Sequence, residues 1–148
     1  MPSRGLRLLV AIDFSPESLR ALRAARGLKQ RAGGAITVIH VRPHSEVRAA
    51  VLEERGDLLK APEGTLKESI DTHYQERMSA VVGTRKDESW KIASGRAAVE
   101  ITREAKRGYD LVVAASRGLG SVGRLLLGST VQELLQSSPI PVLVLPAR

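Results

Sequence analysis

The stretch DLVVAASRGLGSVGRLLLGSTVQELLQSS, residues 110–138, decides the fold of this 148-residue chain. Its apolar run from Leu111 to Ala115 predicts a buried strand, and a helix is expected to begin at Ser129. The loop between them, from Ser116 to Gly128, carries two arginines and four glycines: Arg117, Arg124, Gly118, Gly120, Gly123 and Gly128. Glycine lets backbone N–H groups approach a ligand, and a helix start adds unpaired N–H groups. The stretch therefore predicts an anion cradle, typically for phosphate, although tight turning alone would also explain the glycines.

The rest of the chain continues the same alternation of strand and helix. Strands are predicted at 6–12, 35–41, 89–93, 111–115 and 140–145, and helices at 16–31, 65–82, 96–106 and 129–136. This order predicts a doubly wound α/β fold in which a parallel sheet is covered by helices on both faces. At this length we expect a single domain, residues 1–148. Residues 43–64 have no clear periodicity, and we expect a loop or a short helix that serves as a lid or a partner surface.

Composition excludes several classes of protein. The chain has no cysteine, so disulfide scaffolds, thiolate metal sites and cysteine nucleophiles are excluded. Aromatic residues make up 3% of the chain, so the core must be aliphatic. No apolar run approaches the length of a membrane span. The first apolar run carries Arg7 and ends at Asp13, which is typical of a strand and not of a secretory signal. We therefore expect a cytoplasmic location.

A net charge of +7 is a feature of many proteins that bind nucleic acid, so this function has to be considered. The basic residues are scattered over helix faces, and aromatic residues for stacking on single strands are scarce. A solvated basic surface that favours anionic ligands is the preferred interpretation, and nucleic-acid binding is not expected.

One carboxylate and the glycine loop are expected to share a crevice. In doubly wound sheets, ligands bind beyond the C-terminal ends of the strands, where the strand order reverses. Asp13 ends the first strand and the glycine loop follows the fourth. His40, inside the second strand, is expected to be a packed and hydrogen-bonded side chain. His44 and His73 have no partner at metal-ligand spacing, so no zinc site is predicted.

The last strand is expected at a sheet edge. Prolines stand at its entry and exit, and a proline cannot donate to the ladder of a central strand. An exposed apolar edge strand promotes aggregation unless another element pairs with it, and the same strand of a second copy of the chain is the simplest partner. A homodimer through Ile140–Leu145 is therefore predicted.

The chain resembles the universal stress protein family over essentially its whole length. The resemblance is carried by VAIDFSPES (residues 10–18), VIHV (residues 38–41), the final SSPIPVLVLP and the loop pattern. The nucleotide-binding branch of the family shows Gly, two residues, Gly, nine residues, Gly and Ser or Thr. Gly118, Gly128 and Ser129 match that pattern, while Ala115 replaces its first glycine. An alanine fits there if the backbone is extended, and does not fit if φ must be positive or if the ribose lies against its Cα.

The resemblance implies a five-stranded, Rossmann-like sheet in the order 3-2-1-4-5 and a site for ATP, with Mg²⁺. It implies that Asp13 holds the ribose hydroxyls and that the backbone at Val41 meets adenine. It further implies that Ala115, Arg117 and Gly118 line the ribose and phosphates. Gly128, Ser129 and Thr130 would then hold the terminal phosphates.

Two functions remain open at this point. The first is a small ATP-binding stress sensor or regulator, not an enzyme, although slow ATP hydrolysis remains compatible with the sequence. No Ser/His/Asp set or pair of carboxylates stands at a convincing spacing. The second is a nucleotide-free dimerisation or partner-docking module of the same fold, in which Ala115 marks loss of the site.

Overall fold

A computed structural model describes residues 4–45, 65–116 and 127–146 of the chain. The strands in this part are β1 (Leu6–Ala11), β2 (Gly34–Arg42), β3 (Glu88–Ser94), β4 (Leu111–Ala115) and β5 (Val142–Leu145). The helices are α1 (Pro16–Ala32), α2 (Thr65–Val82), α3 (Ala97–Ala105) and α4 (Ser129–Ser137).

The strands form one five-stranded sheet in the order β3-β2-β1-β4-β5, and every pairing is parallel. This confirms the predicted fold class and strand order. Since β2 and β4 both flank β1, the strand order reverses beside β1. The C-terminal ends of these three strands therefore surround the switch point at which ligands bind in doubly wound sheets.

Two aliphatic cores cover the two faces of the sheet. The first joins Leu8 and Val10 of β1 to α1 and to Met78 and Val82 of α2. The second joins Leu9 of β1 to α3 and α4. Side chains of successive strand residues point to opposite faces, so β1 supplies both cores. The first two helices therefore lie on one face and the last two on the other.

The first helix begins and ends as its sequence predicts. The Ser15 hydroxyl accepts a hydrogen bond from the Ser18 N–H, and Pro16 occupies the first turn. At the other end Gly33 takes φ 69°, a left-handed conformation that favours glycine. Ala21, Leu22 and Ala25 are buried, in agreement with the predicted apolar stripe.

Three details differ from the prediction. The run SWKIA, residues 89–93, predicts a short third strand that is the weakest of the five, but β3 pairs with β2 over seven residues, from Ile36↔Glu88 to Arg42↔Ser94. The fifth strand begins at Val142 and not at Ile140, because the Ser138 hydroxyl binds the Ile140 carbonyl 2.7 Å away and turns the chain there. The spacing of Val131, Leu134 and Leu135 predicts that the last helix buries all three, but Leu135 is 50% exposed.

Candidate functional site

A cavity of about 520 Å³ lies at the switch point. Its walls come from the ends of β1, β2 and β4, from the start of α4 and from one side of α2. Six of the eight residues predicted for the site line it: Asp13, Val41, Ala115, Gly128, Ser129 and Thr130. The sequence therefore identified residues that meet in space although they are up to 117 positions apart along the chain, from 13 to 130.

The other two predicted residues, Arg117 and Gly118, lie outside the described residues. The same holds for Gly120, Gly123 and Arg124 of the glycine loop, and for the segment 46–64. The predicted lid or partner surface in that segment stays a prediction, as does the contact of Arg117 and Gly118 with phosphates.

The Asp13 carboxylate is held at the cavity by a short hydrogen-bonded turn. The Oδ1 atom of Asp13 accepts a hydrogen bond from the Ser15 N–H at 3.0 Å, and the backbone N–H of Asp13 donates to the Ser18 hydroxyl at 3.2 Å. The Ser18 hydroxyl in turn donates to the Ser15 carbonyl at 3.0 Å. This turn fixes the carboxylate before any ligand arrives, which lowers the ordering cost of binding.

The backbone of Val41 faces the cavity. In a parallel sheet the backbone N–H and C=O groups of one residue point to the strand on one side, and those of the next residue point to the strand on the other side. The Arg42 carbonyl accepts from Gly95 N–H on the β3 side, whereas the Ile39 carbonyl accepts from Ile12 N–H on the β1 side. Val41 shares the direction of Ile39, and β1 has ended at its level. Its N–H and C=O therefore point past the end of β1, where they offer one donor and one acceptor.

Ala115 is compatible with its position. It is the last residue of β4, where it pairs with Leu145 in the ladder. Among the described non-glycine residues only Phe14 and Asp87 have positive φ. The methyl group at position 115 therefore causes no backbone strain, so the backbone condition for an alanine is met; the position of a ribose relative to its Cα stays a prediction.

The N-terminus of α4 supplies N–H groups to the cavity. Gly128 is the cap residue, with φ −60° and ψ 154°, and no side chain closes the cap by a hydrogen bond. The Gly128 carbonyl accepts from Gln132 N–H at 3.0 Å, so the helix begins directly after it. Any residue can adopt this φ, so the backbone does not require glycine at 128. What glycine provides is room for a group to approach the first N–H groups of the helix.

Among the lining residues that the sequence analysis did not assign to the site are four with aromatic or basic side chains: Phe14, His40, Tyr74 and Arg77. The expectation that His40 is packed and hydrogen-bonded is confirmed, since it is 7% exposed and its Nδ1 lies 2.9 Å from the Ile12 carbonyl. Tyr74 was assigned only to an apolar helix stripe. The available signal was that an aromatic-poor chain places its only phenylalanine directly after Asp13.

The strongest polar cluster outside the cavity is structural. The buried carboxylate of Glu104 accepts from the Lys91 Nζ at 2.7 Å and from the Tyr109 hydroxyl at 2.8 Å. Burial raises the pKa of Glu104, but the hydrogen bonds from Lys91 and Tyr109 and the charges of Lys91 and Arg107 together outweigh it, so the pKa lies below its ordinary value. Burial, reinforced by Glu104, raises the pKa of Tyr109 despite an opposing contribution from Thr37. None of these residues lines the cavity.

Two negative findings concern the described residues alone. They include no group of three or more His, Cys, Asp or Glu side chains that could hold a metal ion. No helix among them is both long and apolar enough to cross a membrane.

The fold and the cavity define a class: doubly wound α/β proteins with a ligand cleft at the switch point of a five-stranded parallel sheet. Within that class, the model of the universal stress protein family matches residues 6–146. The chain belongs to this family, as the resemblance in its sequence implied.

Individual relatives agree with this assignment. The universal stress protein YxiE of Bacillus subtilis is 29% identical over 146 residues, which cover 93% of this chain and 97% of the relative. The solved hypothetical protein MJ0577 shares the fold with a TM-score of 0.77 over 99% of both chains, at 22% identity. A universal stress protein solved in complex with cAMP matches with a TM-score of 0.59, at 19% identity over 97% of this chain and 98% of the other.

Proposed function

We propose that this protein binds ATP, together with Mg²⁺, in the cavity at the switch point, and acts as a stress sensor or regulator. The observation that carries the proposal is the convergence of three kinds of group on one cavity. These are the Asp13 carboxylate, the outward-facing backbone of Val41 and the open N-terminus of α4. Their chemistry matches the three parts of a nucleotide, in an order that follows the cavity from β2 to α4.

At the phosphate end, the N–H groups of Ser129, Thr130 and Val131 are the first three of α4. They hold the terminal phosphates by hydrogen bonds, and the positive end of the helix dipole adds to the attraction. The hydroxyls of Ser129 and Thr130 are further donors. Mg²⁺ prefers phosphate oxygens and water as ligands, so we expect it to enter with the phosphates.

At the sugar and base end, the Asp13 carboxylate accepts hydrogen bonds from ribose hydroxyls. The Val41 carbonyl and N–H form an acceptor and donor pair, which complements the donor and acceptor on the edge of adenine. Guanine presents an acceptor where adenine presents its amino group, so this pair favours adenine. The cAMP complex of a structural relative supports an adenine nucleotide as the ligand.

We propose binding and not catalysis as the role of the site. Asp13 is already engaged with the Ser15 N–H, and it serves the ribose better than it would serve as a general base. A steady release of inorganic phosphate from Mg·ATP above the buffer rate, and its loss in a Gly128 variant, would contradict this part of the proposal.

We also propose that the protein is cytoplasmic and forms a homodimer through β5, the outermost strand. The Pro141 carbonyl accepts from the N–H of Val112 in β4, and the Leu145 carbonyl accepts from the N–H of Ser116, directly after β4. Val142 and Val144, which alternate with them, therefore direct their polar groups to the outer edge. Val144→Pro removes one outward N–H and leaves the bonds to β4 intact. We expect a dimer in sedimentation velocity for the wild type and a monomer for the variant.

Isothermal titration with Mg·ATP tests the nucleotide site. We expect micromolar binding by the wild type and none by Gly128→Trp, whose side chain fills the phosphate end. Asp13→Asn keeps an acceptor for the Ser15 N–H but loses the charge, so we expect affinity to fall about tenfold. The matched control is Asp87→Asn, since Asp87 lies outside the cavity and asparagine tolerates its φ of 64°.

Two results would overturn the ATP proposal. No heat with wild-type protein at millimolar ATP favours the nucleotide-free dimerisation or docking module. Equal affinity for wild type, Gly128→Trp and Asp13→Asn would show that ATP binds elsewhere on the basic surface.

A further inference from the structure

Five side chains form a continuous stack beside the cavity. The Tyr74 ring stacks on the His40 ring with centroids 5.0 Å apart, and the His40 ring contacts the Phe14 ring at 4.7 Å. Two guanidinium groups cover the ends of this aromatic stack. Arg42 lies 5.6 Å from the centre of the Tyr74 ring, and Arg77 lies 3.9 Å from the centre of the Phe14 ring.

The few aromatic residues of the chain are concentrated in this stack at the cavity, more than their number alone would explain. The chain has one phenylalanine and two tyrosines in 148 residues, and the phenylalanine and one tyrosine are in the stack. Phe14, His40, Tyr74 and Arg77 all line the cavity. The stack therefore forms its wall on the α2 side, opposite the start of α4.

The two arginines differ in what balances their charge. Arg42 forms an ion pair with Asp71. Arg77 is exposed and forms no ion pair with any carboxylate in the described part of the chain. The Phe14 ring lies against its guanidinium group, with the guanidinium carbon 3.9 Å from the ring centre. No carboxylate of the described residues pairs with the rest of this group.

Phe14 itself is held in a costly conformation. Its φ of 64° lies in the left-handed region, which is unfavourable for a bulky residue. Glycine or asparagine would satisfy the turn at lower cost. The phenylalanine at this position is therefore better explained by the use of its ring than by the backbone, and the ring supports Arg77.

We propose that Arg77, supported by Phe14, stacks on the base of the bound nucleotide and gives the cavity a preference for purines. This inference rests on the proposed ATP function and adds a residue that reads the base. The backbone of Val41 reads the edge of the base, and the guanidinium covers its face. A purine offers a larger π surface than a pyrimidine, so the planar cation favours it.

Arg77→Lys tests stacking apart from charge. Lysine keeps the positive charge and loses the flat guanidinium. Calorimetric dissociation constants are measured for ATP, for CTP and for inorganic tripolyphosphate, which lacks sugar and base. We expect Arg77→Lys to weaken ATP binding about fivefold to tenfold, as befits the loss of a cation–π contact. Tripolyphosphate affinity should change less than about twofold, and the ratio of ATP to CTP affinity should fall.

Two further variants complete the experiment. Phe14→Leu removes the ring under Arg77, and we expect it to lower the preference for ATP over CTP in the same direction. Arg23→Lys is the matched control, because Arg23 is exposed on α1 and lies outside the cavity. All three binding constants of this control, for ATP, CTP and tripolyphosphate, should match those of the wild type within error.

Each contrary result points to a different failure. Unchanged ATP affinity in both Arg77→Lys and Arg77→Ala, while Asp13→Asn still weakens ATP, would overturn the base contact and leave the ATP site standing. Equal losses of ATP and tripolyphosphate in Arg77→Ala, with none in Arg77→Lys, would assign Arg77 to the phosphates and not to the base. Failure of the wild type to bind ATP would overturn the proposed function and this inference together.

Discussion

Nδ1 of His40 lies 2.9 Å from the carbonyl oxygen of Ile12, the residue directly before Asp13. A carbonyl oxygen only accepts, so Nδ1 carries the proton and donates it to this bond. Ile12 is 4% exposed, so the bond is shielded from water. It ties the end of β1 to β2 at the point where β1 turns into the cavity.

Replacing His40 by leucine is expected to lower the free energy of unfolding by about 1–3 kcal/mol, because the Ile12 carbonyl loses its donor in a buried place. Urea denaturation followed by circular dichroism measures this loss. The control is His73→Leu, since His73 is exposed on α2. Equal stabilities of the two variants would show that the buried bond is not important.

The Glu104 cluster is expected to make stability depend on pH. The pKa of Glu104 is lower in the folded protein than its ordinary value of 4.5, so the stabilisation is fully present above pH 4.5. It is lost as the pH falls through the lower folded-state value. Tyr109→Phe removes one of the hydrogen bonds that lower this pKa. We expect the variant to lose stability at pH 7 and to show a smaller further loss between pH 5 and pH 3, measured by urea titrations at each pH.

Glu133→Gln is the control variant in the test of how the Glu104 cluster affects stability. Glu133 pairs with Arg96, whose side chain is 72% exposed, and exposed pairs contribute about 0–1 kcal/mol. A pH profile of Tyr109→Phe that is parallel to that of the wild type would contradict the role of this hydrogen bond.

Two glycines are expected to respond to alanine in opposite directions. Gly27 lies inside α1, and a Cβ there would meet no atom within 4 Å. Gly27→Ala should stabilise the protein by about 0.5–1 kcal/mol, since alanine is the better helix former. Gly34 has φ 121°, and its Cβ would lie 1.9 Å from the Leu6 carbonyl oxygen. Gly34→Ala should cost at least about 3 kcal/mol.

Thermal unfolding of both glycine variants gives the sign of each effect. A lower melting temperature for Gly27→Ala, or an unchanged one for Gly34→Ala, would show that the backbone at these positions differs from the geometry described.

Two adjacent leucines of α4 should differ strongly. Leu134 is fully buried in the second core, whereas Leu135 is 50% exposed. Leu134→Ala is expected to cost about 2–5 kcal/mol, because it removes buried methyl groups and leaves a cavity. Leu135→Ala should change stability by less than about 1 kcal/mol. Chemical denaturation compares the two, and similar costs would place Leu135 in an interface that the single chain does not show.

The sequence predicted the fold well because its signals are local and repeated. Each strand is a short apolar run, and the prolines and glycines mark the turns between strands and helices. The error at Leu135 has a simple cause: helical periodicity allows both Leu134 and Leu135 on an apolar face, and only the packing of α4 determines that Leu134 is buried while Leu135 is half-exposed. The strength of β3 was underestimated because an edge strand is only partly buried and its composition is mixed.

The sequence could predict residues of the candidate site only at positions that belong to a sequence motif. Asp13, Ala115 and the start of α4 stand at fixed places in the pattern, and the structure brings them to one cavity. The α2 wall has no such pattern. The contact between Phe14 and Arg77 joins positions 63 residues apart, from 14 to 77, and depends on how α2 packs against the sheet. Periodicity placed Tyr74 on a helix face without indicating what that face meets.

The division of the cavity between two sets of elements has an evolutionary consequence. The glycine pattern of the nucleotide-binding branch runs from the end of β4 to the start of α4, whereas the opposite wall of the cavity includes two residues of α2, Tyr74 and Arg77. Substitutions on that helix leave the glycine pattern untouched. Paralogues with identical loops can therefore diverge in ligand preference, and sorting them by the residues at 74 and 77 would group them differently from sorting by the loop.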